Sequence, residues 1–174
     1  SFLTPDELAY IVNNSESKAL ITSRAKRAVA LQAIAQCPKV SLCLIVDGTG
    51  DDGPFVDYAQ AVAKHPPTPI ADEWLGTAML YSSGTTGRPK GILRPLPEGP
   101  PTEALPIFGF LQKLWRYRED MVYLSPAPLY HSAPNAAVSL TLGVGGTVIV
   151  MEHFDPEHYL ALIERKINAL DQAA

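Results

Sequence analysis

Ser41-Leu42-Cys43-Leu44-Ile45-Val46-Asp47, closed by Gly48, is the stretch on which the reading of the fold turns. A continuous apolar run of this length suits a strand buried on both faces. Strands of that kind belong to parallel sheets covered by helices. Upstream, Arg24–Gln36 reads as a helix that must stop by Pro38, because proline disfavours the helical region for the residue before it. Lys18–Thr22 (KALIT) reads as a short strand ahead of that helix. Thr4-Pro5-Asp6-Glu7 is a helix start: Thr4 can cap, Pro5 suits the first helical position, and Glu7 completes a capping box. Leu8, Ile11 and Val12 follow as an apolar stripe at helical spacing.

Downstream, Gly48–Gly53 reads as a loop and Phe55–Lys64 as a helix ended by Pro66, Pro67 and Pro69. Gly76–Tyr81 reads as a strand running into a glycine-rich segment. Arg94–Pro106 holds five prolines and is expected to be an exposed loop. Leu105–Tyr117 is expected as a helix, Met121–Ser125 as a strand, and Pro126–Asn135 as a broken segment. Asn135–Leu142 reads as helix, Thr147–Met151 as strand, and Asp155-Pro156 as the start of a last helix, Glu157–Lys166. Helices alternating with strands predict an α/β fold: a mostly parallel, doubly wound sheet with flanking helices. No internal repeat is present.

The chain has 174 residues, 47% of them apolar, with a formal net charge of −4. That length suits one domain, and that apolar content argues against wholesale disorder. The 14 basic residues are scattered, without the basic stripe that nucleic-acid binding requires. An anionic ligand would therefore be held by a local loop, not by a global field. Cys37 and Cys43 form no CxxC pair and have no His/Cys cluster around them, so they read as buried reduced thiols, which fits a reducing cytoplasm. No apolar run approaches the ~18–20 residues of a membrane span. The missing initiator Met and the weak tail after the last helix lead us to expect an incomplete chain.

The chemistry concentrates in Tyr81-Ser82-Ser83-Gly84-Thr85-Thr86-Gly87-Arg88-Pro89-Lys90-Gly91. Four hydroxyls, two loop glycines and a lysine follow a strand. Glycines let the backbone turn tightly and approach a ligand closely. Exposed amides and hydroxyls can then donate to phosphate oxygens, and Lys90 adds a point charge. The spacing is not that of the Walker A loop, since two residues separate Gly84 from Gly87 and Lys90 precedes a glycine. GxGxxG is absent as well. A bare GTTG tetrapeptide would be an ordinary surface turn. The eleven-residue string is far more specific.

That string resembles the signature of the adenylate-forming (AMP-binding) superfamily, which includes acyl-CoA synthetases, nonribosomal peptide adenylation domains and firefly-type luciferases. Leu129-Tyr130-His131-Ser132-Ala133-Pro134 resembles a second family motif, which bears a histidine at the acyl site. Thr4–Ile11 with Ala19–Thr22, and Gly145–Met151 with Asp155–Arg165, resemble the elements flanking the two motifs. The resemblance spans about Ser1–Lys166. Residues 1–166 are thus expected to be a piece of a large N-terminal AMP-binding domain, with 167–174 a disordered or foreign tail.

The resemblance implies a ligase in which a carboxylate attacks the α-phosphate of Mg-ATP and a thiol, often coenzyme A, then displaces AMP. It implies that Ser82, Ser83, Gly84, Thr85, Thr86, Gly87 and Lys90 hold the β- and γ-phosphates. It places His131 beside the acyl carboxylate and the pantetheine channel. Without that motif, His131 would read as a core or loop histidine, and His65, His153 and His158 read as surface residues. ATP, Mg2+, coenzyme A and a small carboxylic acid are the implied cofactors and partners. The adenine and ribose motifs, a magnesium-binding acidic residue and a C-terminal-domain lysine do not occur in this chain, so the chain alone is expected to be inactive. Two alternatives stay open: a carrier-protein-loading adenylation domain, and a non-catalytic nucleotide- or phosphate-binding module. The oligomeric state is open too, a homodimer being one of the options.

Overall fold

The computed structural model describes residues 3–82, 87–100 and 106–171, with side chains in the last span described from Phe108 to Arg165. The chain divides into two compact units, residues 1–101 and 102–174.

In the first unit, α1 (Pro5–Asn14) starts on the expected capping box. Glu7 N–H donates to Thr4 Oγ1 at 3.3 Å, and Thr4 N–H donates to Glu7 Oε2 at 2.8 Å. The strand β1 (Ala19–Ser23) follows. A 3-10 turn (Arg24–Lys26) leads into α2 (Arg27–Ile34), so the helix expected at Arg24 begins with a tighter turn. The decisive run is β2 (Leu42–Val46), central between β1 and β3 (Val56–Asp57) in a parallel sheet ordered β1-β2-β3. Ala19 pairs with Leu42 and Ser23 with Val46.

The helix α2 joins two apolar clusters. On one side, Ala33 and Cys37 pack with Ala9 and Val12 of α1. On the other, Ala30 packs with Ile45 and Phe55. Leu20 and Ile34 touch both clusters. Cys37 is buried, Cys43 half-buried, and both are free thiols whose pKa burial pushes up.

Two expectations are corrected here. The β2 run is covered on both faces only at its centre: Leu44 and Ile45, which alternate to opposite faces, are both buried, while Leu42 and Val46, on the face of Leu44, are exposed. Phe55–Lys64 is not one helix. Val56–Asp57 is drawn into the sheet by pairing with Leu44 and Ile45, and only α3 (Tyr58–Val62) is helical, capped by the Asp57 carboxylate accepting from Gln60 N–H at 2.9 Å. The loop between β2 and β3 is fixed by buried Asp52. Its Oδ2 accepts from Thr49 N–H (2.6 Å) and Gly50 N–H (3.1 Å), and its Oδ1 lies 3.1 Å from Arg27 Nε. That pair lacks the alignment of a hydrogen bond, and Arg27 also donates through Nη2 to Asp51 O at 2.8 Å.

The first unit ends in an antiparallel hairpin of β4 (Leu80–Ser82) and β5 (Lys90–Ile92). The strand expected over Gly76–Tyr81 is therefore confined to its last residues and continues through Ser82. Residues 93–100 carry no helix or strand, as expected for the proline-rich stretch, and Leu93 and Leu96 are exposed. Residues 101–105 of that stretch lie outside the described residues.

The second unit contains α4 (Pro106–Trp115), β6 (Val122–Ser125), α5 (Ser132–Gly143), β7 (Thr147–Val150) and α6 (Pro156–Asp171). The strands β6 and β7 are parallel, Val122 opposite Thr147, and α5 packs against both. Leu140, Thr141, Ser125 and Met151 are buried there. The helix α5 begins at Ser132, three residues before its expected start. The helix α6 runs past Lys166 to Asp171. The whole is a mixed α/β fold with parallel sheets and flanking helices, its described strands grouped in three sheets.

Candidate functional site

The glycine-rich string is the connection of the β4–β5 hairpin. Ser82 ends β4 and Lys90 opens β5, and the two are directly opposite in register. Side chains of directly opposed residues project from the same face, their Cβ atoms about 5 Å apart. A hydroxyl and an ammonium are thus paired on one face, both exposed. Lys90 makes no ion pair among the described residues. Gly87 has φ +97, and among the described residues outside its chain neighbours no atom lies within 4 Å of where a Cβ would stand. That left-handed backbone favours glycine there. Ser83, Gly84, Thr85 and Thr86 lie outside the described residues.

Alternation places Tyr81 and Gly91 on the opposite face of the hairpin. A Cβ on Gly91 would overlap Met79 Cε and stand 3.0 Å from Tyr81 Cζ, so the Tyr81 ring lies across this glycine. The Tyr81 hydroxyl donates to Asn14 Oδ1 at 2.7 Å, with Ile11 O at 3.5 Å. Burial pushes the Tyr81 phenol up, so it stays a donor at neutral pH. On the other arm, the Tyr10 hydroxyl donates to Pro89 O at 3.1 Å, and the Arg88 guanidinium sits 5.4 Å from the Tyr10 ring centroid. The sequence reading missed these contacts between α1 and the hairpin. Its one available signal was that Tyr10 and Asn14 lie four residues apart, which puts them on a common helix face.

His131, in the second unit, occupies the position before the first turn of α5, with extended backbone and no capping hydrogen bond from its ring. The turn around it is closed by main-chain contacts: His131 N–H donates to Pro128 O at 3.2 Å, and His131 O accepts from Asn135 N–H at 3.2 Å. The imidazole is exposed and tilts 47° against the Tyr130 ring, centroids 4.5 Å apart. The hairpin residues belong to the first unit and His131 to the second. His65, His153 and His158 are exposed, as expected.

The donor set of the hairpin (hydroxyl, ammonium and a glycine-permitted turn) fits a polyphosphate. Among the described residues, no group of three or more His, Cys, Asp or Glu converges as a metal site, so no residue of this chain is assigned to magnesium.

The α/β frame and the Ser/Thr/Gly string ending in lysine fit the adenylate-forming resemblance. The chain belongs to the AMP-binding enzyme family, whose model matches residues 1–170. It is 28% identical over 186 aligned residues to a medium/long-chain-fatty-acid–CoA/3-oxocholest-4-en-26-oate–CoA ligase of Mycolicibacterium smegmatis, covering 94% of this chain and 33% of that one. It is 32% identical over 167 residues to 4-chlorobenzoate–CoA ligase of a Pseudomonas species, covering 94% of this chain and 30% of the relative. Among solved structures it resembles ATP-bound MatB of Rhodopseudomonas palustris, with a TM-score of 0.65 and 27% identity over 94% of this chain and 31% of that one. The chain thus spans about a third of the length of the curated relatives it matches.

Proposed function

We propose that this chain is part of the N-terminal domain of an ATP-dependent carboxylate–CoA ligase, in which the β4–β5 hairpin holds the β- and γ-phosphates. The observation that carries the reading is Ser82 and Lys90 facing each other across a hairpin whose turn carries Gly87 in a left-handed conformation. The CoA ligases it matches support the reaction class, and an ATP-bound neighbour supports the nucleotide.

The chemistry ATP supplies is a leaving group: a carboxylate that displaces pyrophosphate from the α-phosphate becomes an electrophile open to a thiol. Charge grows on the departing pyrophosphate. Donors already in place there lower the barrier without reorganising. Lys90 supplies the charge, Ser82, Ser83, Thr85 and Thr86 the hydroxyls, and Gly84 and Gly87 the turn. Each hydrogen bond to a charged group contributes about 1.5–3 kcal/mol. His131 is assigned to the acyl and thiol side of the reaction. A reducing cytoplasm suits the two free thiols.

The test is carboxylate-dependent pyrophosphate release by the protein translated from the complete gene, across short, long and aromatic acids, followed by thioester formation with coenzyme A. The 174-residue chain is the control and should release none. Release that needs both an acid and the longer protein supports the ligase. Adenylate formation with transfer only to a carrier protein would make it a carrier-loading enzyme, and no release with any acid would leave a non-catalytic phosphate-binding module.

A further inference from the structure

We infer that Tyr10 and Tyr81 are positioning residues that pin both arms of the β4–β5 hairpin to α1, holding Ser82 and Lys90 at a fixed separation for the polyphosphate. The inference rests on the phosphate-loop reading above and adds residues outside its signature or without an assigned part in it.

Each tether attaches one residue away from a ligand-facing group. Tyr81, bound to Asn14 Oδ1 at 2.7 Å, immediately precedes Ser82. Pro89, whose carbonyl accepts from Tyr10 at 3.1 Å, immediately precedes Lys90. Strand alternation then separates the duties. Tyr81 and Gly91 project from one face, and Ser82 and Lys90 from the other. Both tethers end on one helix, since Tyr10 and Asn14 share a face of α1. The buried pair Ala9 and Val12 packs that helix onto α2, and the Thr4–Glu7 capping box closes its start. The hairpin arms are thereby referenced to the core of the unit.

The arrangement also sorts the two cations of the string. Arg88 lies 5.4 Å from the Tyr10 ring centroid, within the range of a cation–π contact. Lys90 is exposed beside Ser82. Arg88 serves the anchor and Lys90 the ligand. A hairpin ordered in advance spares the ligand the entropy of ordering it.

The experiment uses Tyr10→Phe, Tyr81→Phe and the double variant, which keep the rings and delete the hydroxyls, in the protein translated from the complete gene. Two readouts are taken: hydrogen exchange of the Gly87, Arg88, Lys90 and Gly91 amides, and Mg-ATP affinity by calorimetry alongside KM for ATP and for the carboxylate. Loss of one net hydrogen bond corresponds to about a fivefold change. Each single variant should therefore exchange about fivefold faster at these amides and bind Mg-ATP about fivefold more weakly, with the carboxylate KM unchanged. Unaltered exchange overturns the tether. Equal rises in both KM values overturn the positioning role in favour of general destabilisation. Faster exchange in a protein that binds no Mg-ATP even as wild type overturns the phosphate reading, and the inference with it.

Discussion

Gly91→Ala separates the packing of the hairpin from its chemistry. The new methyl would overlap Met79 Cε and stand 3.0 Å from Tyr81 Cζ and 3.1 Å from its hydroxyl oxygen. Met79 is a flexible chain end and can yield. Tyr81 cannot yield without losing Asn14 Oδ1, 2.7 Å away. Overpacking costs about 1–3 kcal/mol, and the displaced hydrogen bond about 1 kcal/mol more. Against this, Gly→Ala gains about 0.4–1 kcal/mol by restricting the unfolded chain. The net expectation is a loss of about 1–3 kcal/mol, read as a lower urea midpoint at unchanged slope. Gly76→Ala is the matched control, because among the described residues outside its chain neighbours no atom lies within 4 Å of its Cβ position, and its φ is not left-handed. It should be neutral or stabilising by up to about 1 kcal/mol. A Gly91→Ala protein as stable as the Gly76→Ala control would refute the placement of the Tyr81 ring against this strand.

Two further outcomes follow from the first unit. Asp52→Ala strands the Thr49 and Gly50 amides and removes the carboxylate beside the Arg27 guanidinium, which keeps its bond to Asp51 O. Removing one partner of a buried pair costs about 3–5 kcal/mol; with Arg27 at 35% exposure, a urea-measured loss of about 2–4 kcal/mol is expected. The Glu7 carboxyl is held below its ordinary value of 4.5, first by the Thr4 amide and then by the Thr4 hydroxyl. A depressed carboxylate contributes stability that is present above pH 4.5 and lost as pH falls through the lowered folded value. Glu7→Gln should therefore lower the thermal midpoint at pH 6 and make no difference at pH 2, as followed by circular dichroism.

Local chemistry made much of this structure readable. The capping box at Thr4–Glu7 is a short-range device, and it started α1 where expected. The β2 run declared a parallel strand because it is long, branched and closed by glycine. What failed depends on distant partners. Val56 and Asp57 sit in a helical-looking sequence but pair with Leu44 and Ile45, twelve residues earlier in the chain. Leu42 and Val46 read as buried and are exposed, since a run of apolar residues does not state what covers it. At the site, the Ser/Thr/Gly string could be proposed as a phosphate loop because its donors are adjacent in sequence. Its anchors were not, because Tyr10 meets Pro89 across 79 residues and Tyr81 meets Asn14 across 67.

The measurement that bears most directly on the account is Mg-ATP binding by the protein translated from the complete gene, wild type against Lys90→Ala, with Arg88→Ala alongside. Lys90 is exposed opposite Ser82, and the Arg88 guanidinium lies 5.4 Å from the Tyr10 ring centroid. Loss of a charged hydrogen bond of about 1.5–3 kcal/mol predicts that Lys90→Ala weakens Mg-ATP about ten- to hundredfold, and Arg88→Ala by less than about tenfold. Undiminished binding in Lys90→Ala would contradict the hairpin as the phosphate site.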